Sequence, residues 1–205
     1  MISPSGTAIK AQWRDAVPVL NGTTVSLREV DLCDASSLLE LVTASEVVRF
    51  IHQPPDTLGG FEHFAAWAQD ERRRGRFICF AIVPHGMETA IGLIHIRRLD
   101  LAFDTAEWGF VLGSAFWGTG IFIESAELFL DFVFDVVGVT RLEARVAVPN
   151  GRGNGVLRKL GAVQEAVLRK AFSCHGTPVD QALWAILDTD RLERKTALRR
   201  RMYVH

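Results

Sequence analysis

The chain has 205 residues, 23 Lys and Arg against 24 Asp and Glu, a formal net charge of −1 and 48% hydrophobic residues. That length supports one domain whose core needs no disulfide staples, and the balanced charge excludes a general attraction to nucleic acid or an anionic membrane. Cys33, Cys79 and Cys174 are odd in number and widely spaced, and no signal peptide or membrane-length apolar run is read, so the expectation is a reduced, cytoplasmic setting.

Residues 1–20 hold Pro and Gly without sustained periodicity and read as an irregular arm. Asn21-Gly22 turns into a strand at 23–27. Asp31 or Asp34 caps a helix running to 44, with Leu32, Ala35, Leu38, Leu39 and Val42 on one face. Gln53-Pro54-Pro55-Asp56-Thr57 breaks the chain. A helix at 58–74 follows, with Phe61, Phe64, Ala65 and Ala68 inward and Arg72-Arg73-Arg74 complementing its dipole. Strands at 77–83, 89–98 and 105–112, separated by Pro84-His85-Gly86 and a turn at 100–104, form a meander. A helix over 120–137 carries Ala126, Phe129, Leu130 and Val133 at helical spacing and stops at Gly138. A strand at 141–148, a helix at 150–160 and an antiparallel pair at 162–172 and 179–187 complete the order. The result is an α/β (α+β) domain over 21–188, a mixed sheet flanked by helices, without internal repeats. Residues 189–205 are a basic tail whose run at 191–201 reads as helical or frayed. Docking to RNA is the lesser reading of that run, because a terminal basic run is ordinarily solvated.

The segment Glu107-Trp-Gly-Phe-Val-Leu-Gly-Ser-Ala-Phe-Trp-Gly-Thr-Gly-Ile-Phe-Ile-Glu-Ser125 runs strand, glycine turn, helix start. Gly118 and Gly120 let backbone approach a ligand, and the following helix aims free N–H groups and its positive dipole end at the same spot, so a phosphate is the natural guest. A Walker loop would place Lys and Ser or Thr after the last glycine, where Ile121 and Phe122 stand; a dinucleotide fingerprint would place glycine at Ile123. The segment instead resembles the pyrophosphate loop of the GNAT acyl-CoA-dependent N-acetyltransferases, in the Trp-Gly-x-Gly-x-Ala version of the ribosomal-protein N-terminal acetyltransferase branch. A second block, Arg145-Val-Ala-Val-Pro-Asn-Gly-Arg-Gly-Asn-Gly-Val-Leu-Arg-Lys-Leu-Gly161, is similar to that family's Asn-x-x-Ser and Leu-x-Lys-Leu-Gly-Phe signature. Asn150, Leu157, Lys159, Leu160 and Gly161 match, whereas Gly153 stands where Ser is usual and Ala162 where Phe is. With the opening at 25–35, the similarity covers roughly residues 21–188.

The resemblance implies a GNAT-like, mostly antiparallel mixed sheet of about seven strands with about four helices. It implies acetyl-CoA as the cofactor, CoA as product, no metal, and a primary amine as acceptor, either a protein N-terminus or a small molecule. A homodimer is left open, and neither membrane nor nucleic acid is an expected partner. Alternation along 105–112 puts Glu107, Gly109 and Val111 on one face and Ala106, Trp108, Phe110 and Leu112 on the other. Glu107 is then a general base acting through water, or a carboxylate paired with an Arg across the sheet. By resemblance, Phe110, Val111 and Leu112 lie beside the pantetheine arm in a gap toward the strand at 141–148, and an N–H near Val111 serves the oxyanion.

The same resemblance gives Trp117, Gly118, Thr119, Gly120, Ile121 and Phe122 to the cofactor's phosphates. Phe122 departs from the small residue usual there, so its ring either crowds the phosphates or points into the core. Trp117 either covers the cofactor or packs. Asn150 caps the next helix, hydrogen-bonds the cofactor arm, or does both. The acid that protonates the departing thiolate is missing, since Gly153 replaces the usual Ser and Tyr203 lies in the tail. Water can serve; His52, His63, His95 and His175 are the alternatives, and each reads first as structural or solvated. A competing function is a catalytically weak acyl-CoA sensor or interaction module, favoured by Phe122, Gly153 and the absent Tyr.

Overall fold

The computed structural model describes residues 12–51, 54–174 and 176–202, with the side chains of 197–202 outside the description. The expectations for residues 1–11, His52, Gln53, His175 and Tyr203 lie outside the described residues. The elements are β1 (Leu20–Asn21), β2 (Val25–Glu29), α1 (Ala35–Val42), α2 (Ser45–Val48), α3 (Leu58–Arg73), β3 (Phe77–Pro84), β4 (Gly92–Arg98), β5 (Thr105–Leu112), α4 (Ile121–Asp131), β6 (Arg141–Ala147), α5 (Gly151–Lys159), β7 (Val163–Cys174), β8 (Thr177–Leu187) and α6 (Asp188–Met202).

The strands form one sheet in the order β1-β2-β3-β4-β5-β6-β8-β7. Short turns join β3, β4 and β5 as antiparallel neighbours, and β2 pairs antiparallel with β3 although α1, α2 and α3 lie between them in the chain. The step from β5 to β6 passes over the sheet through α4, and theirs is the only parallel pair among the described strands, as a crossover connection requires. The expected mostly antiparallel mixed sheet is therefore present. It has eight strands because the two-residue β1 pairs with β2, and six helices because α2 is separate from α1 and the basic tail continues as α6.

Both faces of the sheet are covered, so β3, Phe-Ile-Cys-Phe-Ala-Ile-Val-Pro, is buried at every position, the near-continuous apolar run such a strand needs. On one face α1 and α3 bring Leu38, Phe61, Ala65 and Ala68 onto Phe77, Cys79 and Ala81. On the other, Phe129 and Phe132 meet Phe80 edge-on at 6.0 and 5.2 Å between ring centroids. Beyond Asp131 the helical period expected to run through 137 widens to a π-helix over Phe132–Val137, which turns Phe132, Val133 and Val137 into the core before Gly138 (φ 83°) ends it.

Several expectations are corrected by local hydrogen bonding. Asp31 caps a short 3₁₀ turn at Leu32–Asp34, which rotates Leu32 outward to 55% exposure and delays the α-helix to Ala35. β4 begins at Gly92 rather than 89 because the Ala90 N–H is spent on Asp34 Oδ1 at 3.0 Å. Arg72, expected to complement the dipole at the end of α3, is also buried, pairs with Glu29 and donates to the carbonyl of Arg14. That contact and the edge-on packing of Trp13 on Phe103 at 5.5 Å tie residues 12–14 to the fold. At the other end, Arg191 donates to Glu127 and, at 3.1 Å, to Asp131, and Lys195 reaches Asp131 and Asp135 at 2.7 Å each. The first part of the basic run is thus docked on α4 rather than solvated. Among the described residues no helix is long and apolar enough to cross a membrane.

Asp34 is the polar knot of this side of the molecule. Its side chain is fully buried, receives both terminal nitrogens of Arg28 at 2.7 Å, and accepts the N–H groups of Asp31 and Ala90 at 2.9 and 3.0 Å. Asp34→Ala strands one guanidinium and two backbone donors, that of Ala90 buried, and is expected to cost about 3 kcal/mol, read as a lowered midpoint in denaturant at unchanged slope. A loss under about 1 kcal/mol would show that water reaches the knot.

Candidate functional site

β5 and β6 pair only at Thr105↔Arg141, Ala106↔Leu142 and Glu107↔Glu143. Beyond that point β5 stays on β4 as far as Leu112, and β6 stays on β8 as far as Ala147. The two strands part, and from Trp108 onward the β5 edge facing β6 has no ladder partner. A cavity of about 540 Å³ occupies the opening.

At its outer end sits the turn that leaves β5. Gly118 (φ 78°) and Gly120 (φ 88°) are both left-handed, and nothing lies within 4 Å of where their side chains would begin, so this backbone is bare toward the cavity. Gly120 is the N-cap of α4 and offers no side-chain oxygen, so the helix start has only a long contact, from the Ile121 N–H to the Thr119 hydroxyl at 3.4 Å, in place of an N-cap bond. The Thr119 hydroxyl shapes the turn by donating to the Phe116 carbonyl at 2.8 Å. The Trp117 indole donates to the Leu112 carbonyl at 2.9 Å, and Arg152 lies over its ring at 4.1 Å. Trp117 thereby joins the turn to β5, lines the cavity, and is faced by a cation from the opposite wall.

Phe110, Val111, Leu112, Trp117, Gly118, Gly120, Phe122 and Asn150 all line this cavity. Thr119 and Ile121 belong to the turn without contributing to the lining. Phe122 is only 9% exposed and its ring centroid lies 4.5 Å from that of Phe110, so the ring points inward and leaves the turn clear. Asn150 caps α5, its Oδ1 accepting from the Gly153 N–H at 3.0 Å. The missing serine has a steric reason: a side chain at Gly153 would start 2.9 Å from both Asn150 Nδ2 and Val146 Cγ1.

Glu107 lines neither this cavity nor a smaller one of about 190 Å³ on the far side of the opening. It stands at the crotch where the strands part, 18% exposed, and its Oε2 accepts from Arg97 of β4 and, at 2.6 Å, from Arg145 of β6. Of the two readings of this carboxylate, the cross-sheet ion pair is the one with contacts. The chain of charges continues through Arg145–Glu143 at 3.3 Å, Arg141–Glu143 at 2.9 Å and Arg141–Glu165 at 3.0 Å.

Other lining residues were missed or only bracketed in sequence. Arg152, set among glycines, carries no motif of its own, yet with Lys159 it brings positive charge to the cavity wall. Glu46, Val47, Phe50 and Ile51, from α2 and the chain after it, close the near side. Glu46 accepts from the Ser114 hydroxyl at 2.8 Å, and hydrogen bonds to its own backbone and to Ser114 hold its carboxyl below the ordinary range. His95 lines the smaller cavity. Among the described residues no group of three or more His, Cys, Asp or Glu is arranged to hold a metal ion, and the three cysteines are free.

Comparison with known proteins gives a consistent picture. The acetyltransferase (GNAT) domain profile matches residues 24–163. An uncharacterized N-acetyltransferase, YoaA of Bacillus subtilis (strain 168), is 26% identical over 175 residues, covering 83% of this chain and 97% of its own. The solved structure of Mycobacterium smegmatis RimJ in complex with CoA-disulfide is 25% identical with a TM-score of 0.72, over 82% of this chain and 84% of that one. The ribosomal-protein-S5-alanine acetyltransferase of Vibrio fischeri, 17% identical over 84% and 97% of the two chains, shares the fold with a TM-score of 0.76.

The contacts around Gly153 generate a test. Restoring the serine usual in the resembled signature, Gly153→Ser, overpacks the start of α5 and is expected to cost about 1–3 kcal/mol, measured by thermal unfolding. Unchanged or raised stability would show that Val146 and the Asn150 amide give way freely.

Proposed function

The chain belongs to the GNAT acetyltransferase family, and on that premise we propose that it transfers an acetyl group from acetyl-CoA to a primary amine by direct attack in a ternary complex. The observation that carries this reading is one cavity shared by an unpaired strand edge, a bare left-handed glycine turn and a helix start whose N-cap is a glycine. Those are the parts that suit an amide-bearing arm ending in phosphates.

In this reading the turn from Gly118 to Phe122 offers main-chain N–H groups to the pyrophosphate, with Arg152 and Lys159 adding charge and Trp117 flanking it. Phe110, Val111 and Leu112 offer backbone to the arm, Asn150 lies toward its thioester end, and an N–H near Val111 stabilises the oxyanion. Acetyl-CoA supplies the activated acyl group. The likeness to RimJ and to the S5-alanine acetyltransferase supports a protein N-terminus as acceptor, with small primary amines as the other class. A weak sensor loses two supports, because Phe122 points away from the turn and Gly153 answers to packing. Glu107 enters as the staple of the strand crotch rather than as the base, since both guanidinium contacts fall on its carboxylate and it lines no cavity.

CoA is expected to stabilise the fold by about 2.7 kcal/mol at a hundredfold excess over Kd, and turnover is expected for at least one member of a panel of alaninamide, N-terminal peptides, spermine and an aminoglycoside. Gly120→Val should abolish the CoA shift. Gly86→Val is the matched control, because Gly86 has the same left-handed backbone (φ 85°) and equally open surroundings in a remote turn. Equal CoA shifts in both variants would place the phosphates elsewhere, and no CoA shift in the wild type would sink the acetyl-transfer reading.

Glu107→Gln keeps shape and removes charge. The staple role predicts kcat/KM within about fivefold of wild type and a stability loss of about 1–2 kcal/mol. A drop near 10²-fold at unchanged stability, the size usual for a lost general base, would return Glu107 to catalysis.

A further inference from the structure

The smaller cavity contains a polar group that the donor site leaves unused. His95 of β4 faces Gly109 of β5 as its register partner. A side chain at Gly109 would begin 2.7 Å from both Cε1 and Nε2 of His95, so the imidazole rests on bare β5 backbone at the place where β5 has just lost β6. Its other side meets Phe77, with ring centroids 5.0 Å apart at 34°. The ring is held in one orientation, and part of it reaches the cavity of about 190 Å³. That cavity is walled by apolar groups including Ile51, Trp108 and Val146, and Phe110, Asn150 and Gly153 are walls of the larger cavity as well. The two cavities therefore meet at the parting of the strands.

We propose, building on the acetyl-transfer reading, that the smaller cavity receives the acceptor's amine and that His95 is the group that carries its proton. The half-buried imidazole has no hydrogen-bond partner among the described residues and lies in a largely apolar chamber, so a ring nitrogen is open to an incoming donor N–H. Burial first, and then the neighbouring Arg97 charge, push its pKa down to about 4, so near neutrality it is uncharged and free to accept. The charged groups around it are Arg97 on its own strand and Arg145 across the opening, both paired with Glu107. Cys79, its partner on β3, is a buried thiol whose pKa is raised chiefly by burial and which stays neutral.

The amine first gives its ammonium proton to water and enters uncharged. As its nitrogen bonds to the acetyl carbon and the carbon–sulfur bond breaks, the proton shed by nitrogen passes to the imidazole and then to the sulfur. The ring ends as it began, and the departing thiolate has its proton. An imidazolium this acidic is well suited to the second half of the transfer, because a thiol holds its proton far more tightly, at a pKa of about 8.5. The absent Tyr and Ser then leave no gap. The cavity also sets the acceptor class. Its volume corresponds to about six water molecules, and its lining carries no carboxylate among the described residues, so it fits a narrow amine end and does not attract a polycation.

The test uses His95→Phe, His95→Ala and wild type with alaninamide as acceptor. Each variant should keep the CoA-dependent thermal shift, which reports both folding and an intact donor site. Turnover should fall roughly 10²-fold in both, and imidazole in the buffer should restore part of it in His95→Ala, where the ring's place is vacant, but none in His95→Phe. With ¹³C-labelled histidine, the His95 signal, identified by its loss in His95→Phe, should move when alaninamide is added to the CoA complex and not with CoA alone. Turnover within threefold of wild type in His95→Phe, or a His95 signal indifferent to the amine, overturns the proposal. Spermine outpacing alaninamide likewise overturns the acceptor class. Absence of any CoA shift in the wild type is a different result, since it removes the acetyl-transfer reading itself.

Discussion

A strand inside a sheet cannot leave its backbone N–H and C=O groups unpaired without cost, and the parting of β5 from β6 after Glu107 imposes that debt on the middle of this molecule. Neither strand can swing back to close the opening, because β4 holds β5 along its full length and β8 does the same for β6. The gap is therefore built in, and something with amides of its own is its natural filling. Everything else at the site follows from that geometry by chain continuity. The turn with Gly118 and Gly120 is what β5 runs into, and Asn150 with the start of α5 is what β6 runs into. Two helix starts consequently face the same opening, one with a glycine as its N-cap and the other capped by the Asn150 side chain.

Keeping the crotch of such a fork at one place requires a stop, and the row of alternating charges across β4, β5, β6 and β7 supplies it. Arg97, Glu107, Arg145, Glu143, Arg141 and Glu165 neutralise one another in sequence. Isolated surface pairs of this kind contribute little. Here Glu107 and Glu143 are the last directly opposed residues of the parallel pair and are mostly buried. Two carboxylates facing each other would repel and pry the strands apart; Arg145 between them converts that repulsion into a bridge. A network placed where the ladder ends fixes where it ends.

Much of this was legible in the chain. The element order, the meander, the helical crossover and the glycine turn each rest on local periodicity or punctuation, which a linear sequence carries. Seven expected strands became eight because β1 is too short to show a period, and the helix at 120–137 changed character at Phe132 because core packing outweighed a regular repeat. The site was readable where residues act through backbone, as at Gly118, Gly120 and Phe110 to Leu112. It was unreadable where side chains from distant segments converge. Nothing near Arg152 says that it will lie over Trp117, and nothing near Glu107 says that two arginines, one from each neighbouring strand, will claim it. The inward turn of Phe122 depended on Phe110, twelve residues away.

Glycine shows the same limit from another side. Gly118 and Gly120 are needed for a left-handed turn, whereas Gly109 and Gly153 lie on the wall of the inner cavity because of what a side chain would displace: the His95 ring in one case, the Asn150 amide and Val146 in the other. In the sequence these four residues look alike. Their distinct uses emerge only when the sheet places His95 opposite Gly109 and the turn after β6 folds Asn150 back onto Gly153. A departure from a family signature is therefore not by itself a loss of chemistry. Removing the side chain at 153 makes room for the Asn150 cap, and the same vacancy keeps the inner chamber continuous with the outer one, so that packing and access are satisfied by a single missing carbon.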